Sequence, residues 1–337
     1  MTTTIAFASR DCLVVGCDSL AIDMETVIDL ASFTDKYFDE HKQIKVDTDG
    51  KPILPNYQDV LKHTTKIPKN SDAYTTKLFN LEPANCALLF RGDATIGLES
   101  SSNLVDSLLS DRIMFKYLRG VYSISGIAKR IETFISKLSS EIYSKSGYVP
   151  FMEITVAGYS KRKNKPEIYE VIFEKDGSSK VNSQMQKEPH VLVIGGQDAE
   201  IRRLVIGLDE KSNTSFHRYV HIILAVYGKH IEKHLKEITG KDIKIPRYHD
   251  IKEMPALNTK WVSNIAIDLF NISEQTAINL VDFLIDTTIK SQEFSNSPPT
   301  VGGNIHIGLL TKRGGFRWIS NEQYIHRDNQ VSKYEIK

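Results

Sequence analysis

The sequence has little charge bias, no long apolar run and no basic-then-apolar leader, and each shortage excludes a class of protein. Its 337 residues carry 43 lysines and arginines against 42 aspartates and glutamates, a formal net charge of +1. Such a balance gives no field that would hold the chain on a polyanion, so nucleic-acid binding is disfavoured. Apolar stretches such as residues 222–227 are too short to span a bilayer. We expect a soluble, cytoplasmic protein with no nucleic-acid or membrane partner.

Cysteine is also scarce. The three cysteines, Cys12, Cys17 and Cys86, cannot all pair with one another, and each lies in an apolar run typical of a strand. Reduced, buried thiols in a cytosol are the simpler interpretation. Cys17 stands beside Asp18, but the interior of a β-run favours packing over a thiol nucleophile.

What is present is an ordinary globular composition, 41% hydrophobic and 25% charged. We interpret residues 1–337 as one domain with two insertions. Residues 22–75 are polar and rich in turn signals, and residues 208–272 have helical spacing in their first half. Elsewhere, alternating patterns predict strands at 76–81, 86–91, 152–159, 167–173 and 191–196, and a closing hairpin over 304–320. Helical spacing predicts helices at 124–142 and after Ser273, with a weaker helix around 104–109.

The N-terminal stretch carries the clearest chemistry. Two β-rich runs, residues 1–7 and 12–19, meet at a polar turn, and the second run ends on a carboxylate. Removing Met1 would leave Thr2 with a free α-amine beside its own hydroxyl. An α-amine has a reference pKa of about 7.7–8.0, so near neutral pH it can accept the hydroxyl proton. A nucleophile and its base would then lie in one residue.

These residues resemble a known family. Residues 2–6, Thr-Thr-Thr-Ile-Ala, and residues 14–19, Val-Val-Gly-Cys-Asp-Ser, resemble the mature start and the second strand of proteasome β subunits and HslV-type peptidases. Both are N-terminal-nucleophile (Ntn) hydrolases. The resemblance resumes at Lys77, which opens a strand, and at Gly92, which closes the next one. It implies an α+β fold, the four-layer αββα sandwich, with two large insertions.

The resemblance also implies roles for individual residues. Thr2 would be the nucleophile, and the Lys77 charge would lower the pKa of its hydroxyl and of its amine. Asp18 would pair with Lys77, and the backbone N–H of Gly92 would form the oxyanion hole. Lys36 lies 18 residues after Asp18 and is the competing lysine, but it lacks a strand context.

A specificity pocket follows from the same alignment. Its lining would come from positions on both sides of Lys77 and around Gly92, with Phe90 at the base. A phenylalanine there would make the pocket shallow and apolar. The predicted lining residues are Ala21, Thr75, Phe79, Phe90 and Ala94.

Two turns depart from the family pattern. Where a serine-bearing turn is expected, the chain has residues 195–197, Gly-Gly-Gln. Where an aspartate and a serine should precede the pair Gly302-Gly303, it has Pro298 and Val301; Ser297 or Thr300 could substitute after a small shift. In the family these positions support the proton network around the terminal amine, so their absence argues against peptidase activity and leaves a protein with the same fold but no turnover as an alternative.

The resemblance implies a threonine-type hydrolase, a protease that cleaves peptide or amide bonds through a threonyl ester without a cofactor. Its relatives form rings, so a homo-oligomer is expected, with an ATP-dependent unfoldase as a candidate partner. Two alternatives stay open. One is a catalytically inactive structural or assembly protein, and the other is a small-amide hydrolase.

A histidine-rich helix is the other candidate site. Residues His230, His234 and Glu237 share one side of a helical stretch, but the glutamate is not where a zinc protease needs it. A polar surface or a subunit contact explains them better than a ligand set. The sequence therefore predicts no metal site.

Overall fold

The chain has a mixed α/β fold built on two antiparallel sheets. The computed structural model describes residues 2–54, 60, 64–93, 95–96, 99–146, 151–161, 165–185, 191–206, 210–244, 269–295 and 298–320. The strands in these ranges are β1 (Thr3–Ala8), β2 (Cys12–Asp18), β3 (Ala21–Ile28), β4 (Thr64–Asp72), β5 (Leu78–Asn80), β6 (Cys86–Gly92), β7 (Thr95–Ile96), β8 (Glu99–Ser100), β9 (Met152–Tyr159), β10 (Pro166–Phe173), β11 (Ser179–Ser183), β12 (Val191–Gly196), β13 (Ile305–Thr311) and β14 (Gly315–Ser320).

In the described ranges, one helix lies between β3 and β4, three lie between β8 and β9, and three lie between β12 and β13. They are α1 (Leu30–Tyr37), α2 (Ser101–Ser110), α3 (Arg112–Arg119), α4 (Ile124–Ser146), α5 (Ala199–Ile206), α6 (Glu210–Thr239) and α7 (Glu274–Glu293).

The strand order places the N-terminal strand inside a sheet. One five-stranded sheet runs β12-β1-β2-β13-β14, and the other runs β11-β10-β9-β6-β5. Strand β1 pairs with β12 from Thr3 opposite Gly196 to Ala8 opposite Val191, and with β2 on its other side. Because both edges of β1 are hydrogen-bonded, the first residues of the chain are held in place instead of fraying.

Alternation along β1 separates two apolar layers. Ala6 and Ala8 belong to a buried cluster formed between the two sheets, whereas Ile5 and Phe7 pack against helix α7 on the opposite face. Successive side chains of a strand point to opposite faces, so a run of β-branched and aromatic residues buried on both sides gives a central strand.

Each sheet carries a helix on its outer face. Helix α4 packs on β9, β10 and β11, and its buried residues recur at three-and-four spacing, from Ile124 to Ile135. Helix α7 begins where the Ser273 side chain accepts a hydrogen bond from the Thr276 N–H, and it packs on β1, β2 and β13. A side-chain carbon at Gly16 would strike Val281 of α7, so this glycine permits the close approach of helix and sheet.

Residues 22–75 contain more regular structure than their turn signals indicated. Strand β3 pairs with β4 as a two-stranded antiparallel sheet, with Ala21 opposite Asp72 and Ile28 opposite Thr64. Helix α1 follows β3 directly. The facing backbone N–H and C=O groups of β3 and β4 bond to each other. This pairing allows strands to form in a segment with few apolar residues.

Helix α6 confirms the helical first half predicted for residues 208–272. Its middle exposes six apolar or aromatic side chains in a short span, unlike the buried stripes of α4 and α7. These residues are Tyr219, Ile222, Ile223, Leu224, Val226 and Tyr227. The sequence also has helical spacing over residues 257–270, but nearly all of that stretch lies outside the described residues.

The other predicted elements are largely confirmed. The strands at 152–159, 167–173 and 191–196, the helix at 124–142 and the closing hairpin all form, as does the weaker helix at 104–109. Helix α3 was not predicted; its amphipathic face, with Met114 and Leu118 buried, occupies only eight residues. In the ranges that the structure covers, no helix is both long and apolar enough to cross a bilayer.

The packing of α7 on the first sheet gives a stability prediction. Leu284 is fully buried against this sheet, so Leu284→Ala should lower the free energy of unfolding by about 2–5 kcal/mol through lost burial and a residual cavity. The matched control is Asp282→Ala, two positions away on the exposed side, with an expected change of about 0.5 kcal/mol or less. Urea unfolding measures both, and equal losses would contradict this packing.

Candidate functional site

Thr2 and Thr3 are fixed against the end of β12. The Gln197 N–H donates to the Thr2 carbonyl oxygen at 2.9 Å, and the Thr3 hydroxyl donates to the Gln197 carbonyl oxygen at 2.8 Å. Only 5% of Thr2 is exposed. Gly196 has φ +81°, and a side-chain carbon there would collide with the Thr2 carbonyl oxygen. Glycine at this position therefore allows the backbone to close over the first residues.

The Asp18 carboxylate lies at the centre of the site and has no solvent contact. Its Oδ1 accepts a hydrogen bond from the Thr3 N–H at 2.9 Å. Its Oδ2 accepts from the N–H groups of Leu20 and Gly302, each at 3.2 Å, and from the Lys77 Nζ at 3.0 Å. A buried carboxylate is stable only when charge and hydrogen bonds replace its lost hydration.

Lys77 reaches this carboxylate from the other sheet. It immediately precedes β5, and its carbonyl oxygen accepts from the Phe90 N–H at 2.9 Å, which ties it to β6. Its Nζ also donates to the Leu20 carbonyl oxygen at 2.5 Å. The structure therefore brings together Asp18 and Lys77, as predicted from positions 59 residues apart.

Lys36, the competing lysine, lies elsewhere. It is exposed on α1, with its Nζ 5.1 Å from the centroid of the Tyr37 ring. Of these two lysines, Lys77 is the one that pairs with Asp18.

Burial and charge oppose each other at Asp18. Burial is the largest influence and raises the pKa of the Asp18 carboxyl, whereas the Lys77 charge and the N–H groups of Thr3 and Gly302 lower it. Each donor therefore favours the ionised carboxylate that burial disfavours.

Two titratable groups near the Asp18–Lys77 pair are held in their neutral forms. His306 lies opposite Cys17 in the β13–β2 register. Burial, aided by the Lys77 charge, lowers the pKa of His306 to about 4, and burial raises the pKa of the Cys17 thiol. A protonated thiol is a weak nucleophile, in agreement with the packing role predicted for Cys17.

Gly92 ends β6 at the surface. It pairs with Met152 of β9 and has φ +99°, and a side-chain carbon would strike the Phe151 carbonyl oxygen. The next residue, Asp93, donates its N–H to that same oxygen at 2.8 Å. Gly92 thus lies at a tight bend that follows Phe90 and Arg91, and its role in an oxyanion hole stays a prediction.

An ionic cluster within the second sheet faces the β12 strand of the first sheet. The Arg91 guanidinium bonds to Glu153 through Nε and to the Glu170 Oε1 through Nη2 at 2.7 Å. Its Nη1 occupies the space that a side chain at Gly195 would need, and Gly195 lies opposite Thr4 of β1. This contact gives a physical reason for glycine in the turn where a serine was expected. Sequence reasoning missed Arg91, which lies opposite Glu153 in the β6–β9 register, whereas Glu170 comes from the next strand, β10, where it lies opposite Thr155.

The residues predicted to line a pocket fall in two places. Ala21 begins β3, and Thr75 donates its N–H to the Ser19 carbonyl oxygen at 2.9 Å, close to the Leu20 carbonyl that Lys77 contacts. Phe79 and Phe90 contact each other edge to face at 5.4 Å, within the core between the second sheet and its helices. Ala94 lies outside the described residues. A shared pocket among these positions stays a prediction.

The loop before β13 contributes backbone instead of side chains. Val301 is fully buried, and the Gly302 carbonyl oxygen accepts from the N–H groups of Ser19 and Leu20 at 3.2 and 2.9 Å. With its N–H on Asp18, Gly302 is a member of the site that sequence reasoning did not find. The Gly302-Gly303 pair was the available signal, because a glycine pair before a strand allows close backbone contact.

The histidine-rich stretch on α6 is open to solvent. The His234 Nδ1 lies 3.7 Å from the Glu237 Oε2, with both side chains mostly exposed. Over the residues whose placement is known, no group of three histidine, cysteine or acidic side chains could hold a metal ion.

Removing Lys77 should expose the dependence of the fold on this ion pair. Lys77→Met leaves the Asp18 charge buried without its cation, so we expect a loss of about 3–5 kcal/mol in the free energy of unfolding at pH 7. The variant's Asp18 pKa lies further above its unfolded value of about 3.9, so part of the loss should be recovered as the pH falls and the carboxyl protonates. Urea unfolding at pH 7 and pH 5 measures both effects.

A surface pair provides the control for this variant. Lys180 contacts Glu174 at 3.0 Å, but both side chains are solvent-exposed. Lys180→Met should therefore change the free energy of unfolding by about 0–1 kcal/mol, with no recovery at low pH. Equal losses for Lys77→Met and Lys180→Met would rule out a structural role for the buried pair.

His306 should remain neutral well below the ordinary titration range of histidine. Its lowered pKa of about 4 means that, between its unfolded pKa and that value, the unfolded chain binds a proton that the folded protein does not. Its contribution to stability is therefore present above pH 6.5, the ordinary value for histidine, and is lost as the pH falls toward 4. NMR titration of the imidazole measures this, and a midpoint near the ordinary value would contradict the burial described here.

Comparison with known proteins gives structural neighbours only. No protein-family model and no curated protein sequence matches the chain. Among solved structures, it is similar to an Anbu (Gly-1) mutant from Hyphomicrobium sp. strain MC1, with 11% identity, a TM-score of 0.40, and coverage of 96% of this chain and 89% of that one. It is also similar to Anbu (ancestral beta-subunit) from Yersinia bercovieri, with 9% identity, a TM-score of 0.42, and coverage of 95% and 88%.

These findings correct the family assignment. The identification with proteasome β subunits and HslV-type peptidases is wrong, because no family model matches and the solved structures to which the chain is similar are Anbu proteins, a distinct family. The ring and the ATP-dependent unfoldase that the resemblance implied stay predictions. The fold is described from this chain itself, as a mixed α/β fold with antiparallel sheets.

Proposed function

We propose that this protein is a threonine-type N-terminal-nucleophile hydrolase that cleaves amide or peptide bonds after removal of Met1. The observation that carries the proposal is the buried Asp18 carboxylate, which contacts the Thr3 N–H through one oxygen and the Lys77 ammonium through the other. A single carboxylate thus links the residue after Thr2 to a buried cation from a distant strand, beside the first residue of the processed chain.

The first half-reaction forms an ester. The α-amine of Thr2 takes the hydroxyl proton, and Thr2 Oγ1 bonds to the carbonyl carbon of the substrate. The Lys77 charge favours the developing alkoxide, and the Gly92 N–H stabilises the oxyanion. When the tetrahedral intermediate collapses, the C–N bond breaks and the α-ammonium gives its proton to the departing amine.

The second half-reaction releases the acid. The α-amine, now unprotonated, removes a proton from water, whose oxygen adds to the ester carbonyl carbon. Collapse breaks the bond to Thr2 Oγ1, which regains a proton from the α-ammonium. Thr2 and its amine return to their starting states, so no cofactor is needed.

The packing supports the Ntn αββα sandwich as the fold of this enzyme. The two sheets share one apolar layer, and α4 and α7 cover their outer faces. Within β1, Thr4 shares the inner face with Ala6, toward the second sheet, and we expect the Thr2 hydroxyl to follow the same alternation toward Lys77 and Gly92. An attacking hydroxyl and its helpers would thus meet at one end of the space between the sheets.

A catalytically inactive assembly protein is the second candidate. It is favoured by Val301, whose buried apolar side chain offers no polar group to the proton transfers at the Thr2 amine. Intact mass separates the candidates, because a chain that retains Met1 has its α-amine in an amide and cannot use it as a base.

Covalent labelling tests the nucleophile. A β-lactone probe should esterify Thr2, because Oγ1 attack opens the ring without a leaving group. We expect the wild-type protein to gain the mass of one probe on the N-terminal peptide and Thr2→Ala to gain none. Labelling is measured by mass spectrometry of the intact protein and its peptides.

Thr4→Val is the matched control. The Thr4 hydroxyl is buried with no hydrogen-bond partner among the described residues, so valine replaces it with little change in shape. This variant should be labelled at a rate within about twofold of wild type. Labelling of Thr2→Ala at the wild-type rate, or a mature chain that keeps Met1, would refute the proposed chemistry.

A further inference from the structure

Gln292 connects the two loops that hold the candidate site. It lies in the last turn of α7, and its Nε2 donates to the Gln197 Oε1 at 2.6 Å. Gln197 is the residue whose backbone binds Thr2 and Thr3. One end of the Gln292 amide is therefore fixed to the segment that positions the start of the chain.

The other end of the amide holds the loop before β13. Gln292 Oε1 accepts from the Thr300 N–H at 2.6 Å, from the Thr300 hydroxyl at 3.2 Å and from the Val301 N–H at 3.2 Å. The next residue, Gly302, donates its N–H to the Asp18 carboxylate. This end of the Gln292 amide therefore fixes the position of the loop whose Gly302 N–H bonds to the Asp18 carboxylate.

These contacts form a closed circuit. Starting at Thr3, the path runs to Gln197, through the Gln292 amide to residues 300–302, then to Asp18, and back to the Thr3 N–H. The circuit surrounds the backbone of the first residues and the carboxylate that pairs with Lys77. We therefore expect a displacement at one of these contacts to shift the backbone of Thr2 and Thr3 relative to Asp18.

We propose that Gln292 is a positioning residue for the reaction of Thr2, bridging the β12 turn and the residue 300–302 loop in place of side chains at positions 195, 196 and 301. This inference rests on the proposed function of Thr2. A primary amide suits the task because it combines a donor and an acceptor on one rigid plane. Gly195, Gly196 and Val301 offer no polar side chain for this purpose.

Two substitutions test the donor and the acceptor of the Gln292 amide separately. Gln292→Leu removes the donor and the acceptor while keeping a similar size. Gln292→Glu keeps the acceptor for Thr300 and Val301, but as a carboxylate it cannot donate to the Gln197 Oε1. Gln275→Leu is the control, since Gln275 lies on the same helix, is exposed, and bonds through Nε2 to Asn279.

The first readout does not depend on catalysis. Hydrogen–deuterium exchange of the Gly302 amide reports its bond to Asp18, and Gln292→Leu should accelerate this exchange relative to the control. Gln292→Glu should leave it near the wild-type rate, because the acceptor for the loop is retained. Unchanged exchange in Gln292→Leu would overturn the inference whether or not Thr2 reacts.

The second readout is the rate of β-lactone labelling, split into the maximal rate and the probe concentration at half-maximal rate. In Gln292→Leu the maximal rate should fall by about 10²-fold, as expected for a small misplacement of reacting groups, with the half-maximal concentration nearly unchanged. In Gln292→Glu the rate relative to wild type should rise as the pH falls, since a protonated carboxyl can again donate to Gln197.

The outcomes are distinct. If wild type and Gln275→Leu are both unlabelled, the proposed function fails, and the Gly302 exchange still decides whether Gln292 holds the loop. If both are labelled and Gln292→Leu is labelled equally fast, the positioning role is refuted while the hydrolase stands. Should Gln292→Leu fail to fold, the pH dependence of Gln292→Glu decides, and a ratio to wild type that does not change with pH overturns the inference.

Discussion

A carboxylate without solvent contact is the constraint on which the rest of the site depends. Asp18 has no exposed surface, so every hydrogen bond that water would have supplied must come from the chain. Those donors come from four segments, namely the N-terminal strand, the turn after β2, the residue before β5 and the loop before β13. Both sheets and one long-range loop must therefore be correctly placed before this charge is tolerated. Glycine stands where backbone segments meet, at Gly196 and Gly303, because a side-chain carbon at either position would strike a backbone carbonyl oxygen.

Part of this site could be predicted because it is encoded in local patterns. Asp18 ends a buried β-run and Lys77 precedes another. A charge at the end of an apolar strand is partly removed from water, so it is expected to pair with an opposite charge. The alternation of β1 likewise predicts a central strand. Gly302 and Gln292 escaped prediction because their roles arise from backbone N–H groups and a side-chain amide that meet only in three dimensions. The ionic cluster of Arg91, Glu153 and Glu170 was missed because the sequence pattern of each strand indicates only a strand and not which charges meet across the sheet.

The error in the family assignment has a similar origin. The motifs that suggested it lie in β1, β2 and the strands around Lys77 and Gly92, where small, β-branched and paired charged residues are required by the packing itself. The two turns that departed from the pattern, residues 195–197 and 298–303, are where Arg91 and Gln292 make contacts of their own. Local strand motifs therefore indicated the kind of fold, whereas the turns carried what distinguishes this chain. The regular structure of residues 22–75 was underestimated for a related reason. Strands β3 and β4 bond to each other through their backbones, and the segment has few of the apolar residues that would have indicated strands.

The central position of β1 has a consequence for biosynthesis. Translation proceeds from the N-terminus, so β1 and Asp18 leave the ribosome long before β12 and Gly302 exist. At typical elongation rates the delay is on the order of tens of seconds. During that interval the first strand lacks one neighbour and the carboxylate lacks the last of its amide donors. The nascent polypeptide therefore emerges without a finished centre, and Asp18 gains its last amide donor only after residue 302 has been synthesised.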